Sequence, residues 1–135
     1  MNRAQRRFLL GPAPTERRTF GFGLLTLCFG GFLLFALWLE NETNGLVGGL
    51  TLVAGAVVLL LAWAAADGRI DVAIGPHLLA GVGTATVGVG LGLAFASSGP
   101  DSPPLVGLAA VLALQHVVRG AWIARTRAGF SGPEP

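Results

Sequence analysis

Apolar residues run along this chain in four long blocks, Thr19–Leu39, Gly45–Ala66, Gly75–Ala96 and Leu105–Ala124, parted by short polar stretches. Each block holds 20 to 22 residues. A helix of about 20 residues, rising ~1.5 Å per residue, crosses a hydrocarbon core of ~30 Å. The pattern therefore predicts an all-α membrane protein, a four-helix transmembrane bundle over residues 19–124. A juxtamembrane segment of residues 1–18 precedes it and a polar tail of residues 125–135 follows. The third block, GPHLLAGVGTATVGVGLGLAFA, has no Asp, Glu, Lys or Arg. Residues three and four apart share a helix face, so Gly81, Ala85, Gly88 and Gly92 form one stripe of very small side chains. Such a stripe lets a second helix approach closely, which is how membrane helices associate without a hydrophobic force between them. In the second block Gly45 and Gly49 make a GxxxG pair, with Gly48 and Gly55 as further points of approach.

The polar stretches carry their own signals. Residues 1–10 predict a short basic helix lying on the membrane, with Phe8, Leu9 and Leu10 dipping in, ended by Gly11-Pro12-Ala13-Pro14. Arg6-Arg7-Phe8-Leu9 is close to a twin-arginine export signal, but GPAPTERR interrupts the apolar region that should follow. Asn44-Gly45 reads as a turn before the second span. Gly68 suits the C-terminal cap of that span, and Pro76 and Pro103 suit the first turns of the next two. Asp101 and Ser102 are the N-cap candidates of the last. The tail is expected to be disordered.

Charge gives the spans a direction. Arg3, Arg6, Arg7, Arg17, Arg18, Arg69, Arg125 and Arg127 all fall on one side of a four-span chain, whereas the opposite loops carry only Glu40, Glu42 and Asp101. The positive-inside rule places both termini in the cytoplasm, N-in and C-in, in the cell membrane. Trp38 at one end of the spans and Trp63 and Trp122 at the other fit interfacial belts. Only 12% of residues are charged and mean hydropathy is +0.69, against about 25% charged in soluble domains. The pI of about 10 would suit nucleic acid, but the net charge is only +2. Arg3, Arg6, Arg7, Arg17 and Arg18 flank apolar spans and point to anionic lipid headgroups instead. The basic residues are all Arg and there are 21 Gly, a bias suggesting a GC-rich prokaryotic genome. The single Cys28 offers neither a disulfide nor a thiolate metal site within one chain, and no cofactor is expected.

Chemistry is sparse. Thr86-Val87-Gly88-Val89-Gly90 is close to the TVGYG carbonyl filter of potassium channels. It follows a turn on the basic side, however, and Leu91 stands where an acidic residue would be usual. The stronger set is His77, Gln115, His116 and Arg119, polar groups at membrane depth. If the third and fourth spans pack small face to small face, these residues are expected to share a cytoplasmic-side cavity. There His116 would titrate and Arg119 would fix positive charge on an anion or proton path. The plainer alternative has Arg119 snorkelling to headgroups and Gln115 and His116 bonding between helices. No span contains a carboxylate, which disfavours a proton-coupled exporter. No Ser elbow, His cluster or long cytoplasmic loop supports an enzyme. The expected function is a small non-catalytic accessory or scaffold component acting on a membrane-protein partner through helix packing. The alternative is a homo-oligomeric small-solute channel or transporter built on the polar set.

Overall fold

A computed structural model of the chain describes residues 2–11, 15–40, 43–97 and 103–125. These form five α-helices and, among the described residues, no strand. They are α1 (Arg3–Leu10), α2 (Glu16–Glu40), α3 (Thr43–Ala66), α4 (Pro76–Ser97) and α5 (Pro103–Arg125). Helices α2 to α5 correspond to the four apolar blocks, and each is long and apolar enough to cross a membrane. The cap candidates Asp101 and Ser102, Pro12–Pro14 of the breaker, residues 41–42 and the tail beyond Arg125 lie outside the described residues.

The helix ends follow local chemistry. Helix α2 starts ahead of its apolar block because the Thr15 hydroxyl accepts a hydrogen bond from the Arg18 backbone N–H (3.2 Å), an N-cap. Helix α3 starts at Thr43, so Asn44-Gly45 lies in its first turn and is not the turn expected from the sequence. Gly45 is buried and is not among the glycines with positive φ. At the other end Gly68 adopts φ +77°. The Gly68 N–H donates to the Ala65 carbonyl (3.3 Å) and the Arg69 N–H to the Ala64 carbonyl (2.9 Å), closing α3 as a Schellman motif. Pro76 opens α4, where an absent donor costs nothing. Trp63 in the last turn of α3 stacks on Phe20 of α2 with ring centroids 4.2 Å apart. The Arg69 guanidinium lies over the same indole at 4.9 Å while its Nε donates to Asp67 (2.7 Å).

The long helices pack in chain order, α2 on α3, α3 on α4 and α4 on α5, with α1 against α5. Within their apolar windows 44% of residues are buried in α3 and α4 but 17% in α2 and α5, so the inner pair is the core. Two leucines of α3, Leu52 and Leu59, are almost fully buried, and each is gripped from two sides. A Cβ built on Gly30 of α2 would stand 3.1 Å from Leu52 Cβ, and one on Gly90 of α4 would stand 2.9 Å from Leu52 Cγ. One turn pair along, Gly23 meets Leu59 Cβ at 3.4 Å and Gly83 meets Leu59 Cγ at 2.8 Å. The knobs and both sets of notches repeat every seven residues, the interval of left-handed helix packing.

The opposite face of α4 is the small-residue stripe. A Cβ on Gly81 would come within 2.5 Å of the Gly120 carbonyl oxygen, and one on Gly92 within 3.0 Å of Ala113 Cβ. Gly88 lies directly against His116 Cβ, and a Cβ on Gly120 would stand 3.0 Å from Ala85 Cβ. Two positions along a helix turn the direction by about 200°, so the stripe 81, 85, 88, 92 and the set 83, 87, 90, 94 sit on opposite sides of α4. Of the GxxxG pair, Gly49 faces Leu34 of α2 (2.9 Å from a built Cβ), while Gly48 and Gly55 meet α4.

Truncating a knob should therefore cost more than truncating an equal side chain on the rim. Leu59→Ala is expected to lower stability by about 2 kcal/mol, from lost contacts and a cavity. Leu25→Ala, at a position 70% exposed, should change it by less than ~0.5 kcal/mol. Thermal unfolding in detergent, followed by circular dichroism, checks the difference.

Candidate functional site

Two polar residues of α5, Gln115 and Arg119, meet α1. That helix is short and basic, and its start is fixed by a capping box: the Asn2 side chain accepts from the Gln5 N–H (2.8 Å) and the Gln5 side chain accepts from the Asn2 N–H (3.2 Å). It closes at Gly11, φ +66°, whose N–H donates to the Arg7 carbonyl (2.9 Å). The Phe8 carbonyl would ordinarily accept from residue 12, but Pro12 has no N–H. Gln115 of α5 supplies the missing donor, its Nε2 reaching the Phe8 oxygen at 2.6 Å. One turn further along α5 the Arg119 guanidinium lies against Gly11, where a built Cβ would be 2.7 Å from the terminal nitrogen. The positive φ favours glycine there, while the guanidinium, at the end of a flexible side chain, could shift aside from a Cβ.

His116 occupies the inner side of α5. Its Cβ rests on Gly88, and its ring lies near that of Phe22 of α2, with centroids 6.3 Å apart and planes 18° apart. Nδ1 is 2.8 Å from the Leu112 carbonyl oxygen, which only accepts, so Nδ1 carries a proton and donates. His77 sits elsewhere. Its ring folds back over Gly75, where a built Cβ would be 2.6 Å from Cε1. The register sets Gly88 opposite His116, and His77 precedes Gly88 by eleven positions. The two histidines are thus separated by about 16 Å along the helix axis. Packing of α1 on α5 brings Gln115 and Arg119 to α1, and small-face packing of α4 on α5 leaves His77 apart from His116, so the four residues do not share one cavity.

Arg3, Arg6 and Arg7 are exposed on α1, and Arg17 and Arg18 are exposed in the first turn of α2. Among the described residues no three His, Cys, Asp or Glu gather to hold a metal ion. The contributions of Phe8, Gly11 and Phe22 are not apparent from composition. Two local signals do exist in the sequence: Asn2 three residues before Gln5, and a proline four residues after Phe8. Compared with known proteins, the chain matches no family model, no curated protein and no solved structure.

If Gln115 and Gly11 hold α1, then loosening either should unravel it, because an isolated helix of eight residues is marginal in water. Gln115→Leu and Gly11→Ala are each expected to speed tryptic cleavage after Arg6 and Arg7 by about tenfold, the equivalent of one lost hydrogen bond. Cleavage at the wild-type rate in both variants would show that α1 is not held by these contacts.

Proposed function

We propose that this chain is a multi-pass membrane protein with both termini in the cytoplasm, and that it acts without catalysis as an accessory or scaffold for another membrane protein. The observation that supports this reading is a contrast among glycines. Those between the long helices are filled by a neighbour, whereas Gly21 and Gly31 of α2 and Gly107 of α5 meet nothing within 4 Å. Around them Leu25, Phe32, Phe35 and Leu39 are each more than 60% exposed. These are notches of the kind that seat a helix in lipid. The channel or transporter alternative needs its polar groups around a shared wet space. Here Gln115 and Arg119 engage α1, His116 engages Leu112, and His77 lies apart. Orientation is supported by the arginines, which gather at the end where Phe20, Trp63 and Arg69 stack.

Two measurements test the proposal. Gentle solubilisation from native membranes followed by native mass spectrometry should recover the chain with a different polypeptide. Gly31→Leu should reduce that recovery without lowering the melting temperature. Solute flux through liposomes holding the purified chain alone would instead support the transporter. For orientation, Glu40→Cys in a Cys28→Ala background should react with an impermeant maleimide added outside the cell. Arg69→Cys should react only after permeabilisation, and the reverse pattern would overturn the N-in, C-in assignment.

A further inference from the structure

The junction of α1 with α5 has a feature that helix packing leaves unexplained. The Phe8 backbone is fastened to Gln115, yet its ring is 56% exposed. An open cleft of about 650 Å³ runs along the same side of α1, lined by Ala4, Gln5, Phe8 and Leu9. At 100° per residue these four positions occupy one side of the helix, and Arg3, Arg6 and Arg7 occupy the other. At the Gly11 end stands Arg119. Its Nε is buried without a hydrogen-bond partner, and no carboxylate among the described residues pairs with its guanidinium. An unpaired cation at a half-buried position is costly unless something supplies an anion.

We propose that this junction binds one anionic phospholipid, its phosphodiester on the Arg119 guanidinium and an acyl chain along Ala4, Phe8 and Leu9. The inference rests on the membrane reading given above. The chemistry of the two ends selects the ligand. A guanidinium matches the paired oxygens of a phosphate and remains charged at any accessible pH. The open cleft on α1, which begins within a turn of Gly11, offers apolar carbon and one amide, which suits a hydrocarbon chain and gives a free inorganic anion nothing further to hold. Arg7, in the last turn of α1, lies toward the same end and adds to the field that draws a negative headgroup. Arg3 and Arg6 extend that field along the exposed side of α1. The bound lipid would in turn cover the Phe8 ring and fasten α1 at a second point.

The test uses the full chain purified in detergent, with phosphatidylglycerol or phosphatidylcholine added and the retained lipid counted by native mass spectrometry. One phosphatidylglycerol per chain should be retained in preference to phosphatidylcholine. Arg119→Gln should weaken that retention about tenfold, the loss of one charge-assisted hydrogen bond, and Arg119→Lys should restore part of it. Phe8→Ala should also weaken it, whereas Arg125→Gln, an exposed arginine in the last turn of α5, should not. Equal retention of the two lipids, or full retention by Arg119→Gln with an unchanged melting temperature, would overturn the proposal. Displacement of the lipid by glycerol phosphate at equal concentration would also overturn it, by showing a site for a free phosphate. Carbonate extraction separates this from the reading beneath it. A chain that washes off membranes fails the membrane assignment, and one that stays but shows no lipid preference fails only here.

Discussion

The fold depends on two leucines held between glycines. In water, burying Leu52 and Leu59 would be favourable wherever apolar carbon surrounded them. If the helices lie in lipid, as proposed above, that gain vanishes, because acyl chains are as apolar as any partner, and only contact density distinguishes one arrangement from another. A leucine seated in a glycine notch on each side makes more contacts than it can with mobile hydrocarbon. Gly23 and Gly30 on α2 and Gly83 and Gly90 on α4 provide those seats at the same spacing of seven as the leucines themselves. Shifting α3 by one turn would set branched side chains against helix backbone and leave the notches empty. The register of three helices is thereby fixed by six residues.

Helix α4 is packed closely on two sides, by α3 and by α5, and the reason lies in its composition. It carries small residues on two opposite faces, so it can be approached closely from both. The sequence discloses Gly81, Ala85, Gly88 and Gly92 readily, because four small residues at helical spacing stand out in an apolar run. Gly83 and Gly90 are harder to read. Their meaning comes from Leu52 and Leu59 on another helix, and a stripe of two glycines alternating with Val87 and Ala94 resembles ordinary Gly-rich sequence. Helix boundaries at Pro76, Pro103 and Gly68 were legible for the opposite reason, since their chemistry is local to the backbone. Asn44-Gly45 shows the limit of such local signals. Its dipeptide suits a turn, but it lies in the first turn of α3, at the head of a long apolar run of helical residues.

The polar residues divide in the same way. Gln115, His116 and Arg119 are conspicuous in α5 because ionisable and amide groups are expensive in hydrocarbon. What they engage could not be read from α4 and α5 alone. The partner of Gln115 is a backbone carbonyl more than a hundred residues away, made available by a proline that cannot donate. The axial separation of His77 from His116 also follows from register, and register is set by which small residues meet. Sequence spacing places each histidine along its own helix. The offset between the helices comes from Gly81 on Gly120 and Gly88 on His116.

These two kinds of contact also explain why α1 and the long helices need different fastenings. The long helices satisfy their backbone groups internally, so shape alone can hold them side by side. Helix α1 is only eight residues long, and its terminal carbonyls form a large share of its backbone. Shape could not hold such a helix against α5, because it would still expose acceptors that need donors. An amide aimed at Phe8 meets that need directly. Arg119 packed on Gly11 adds a charge that no carboxylate among the described residues pairs with. Shape thus suffices where long helices meet one another, whereas the α1 junction needs polar groups as well, and Gln115 supplies one of them.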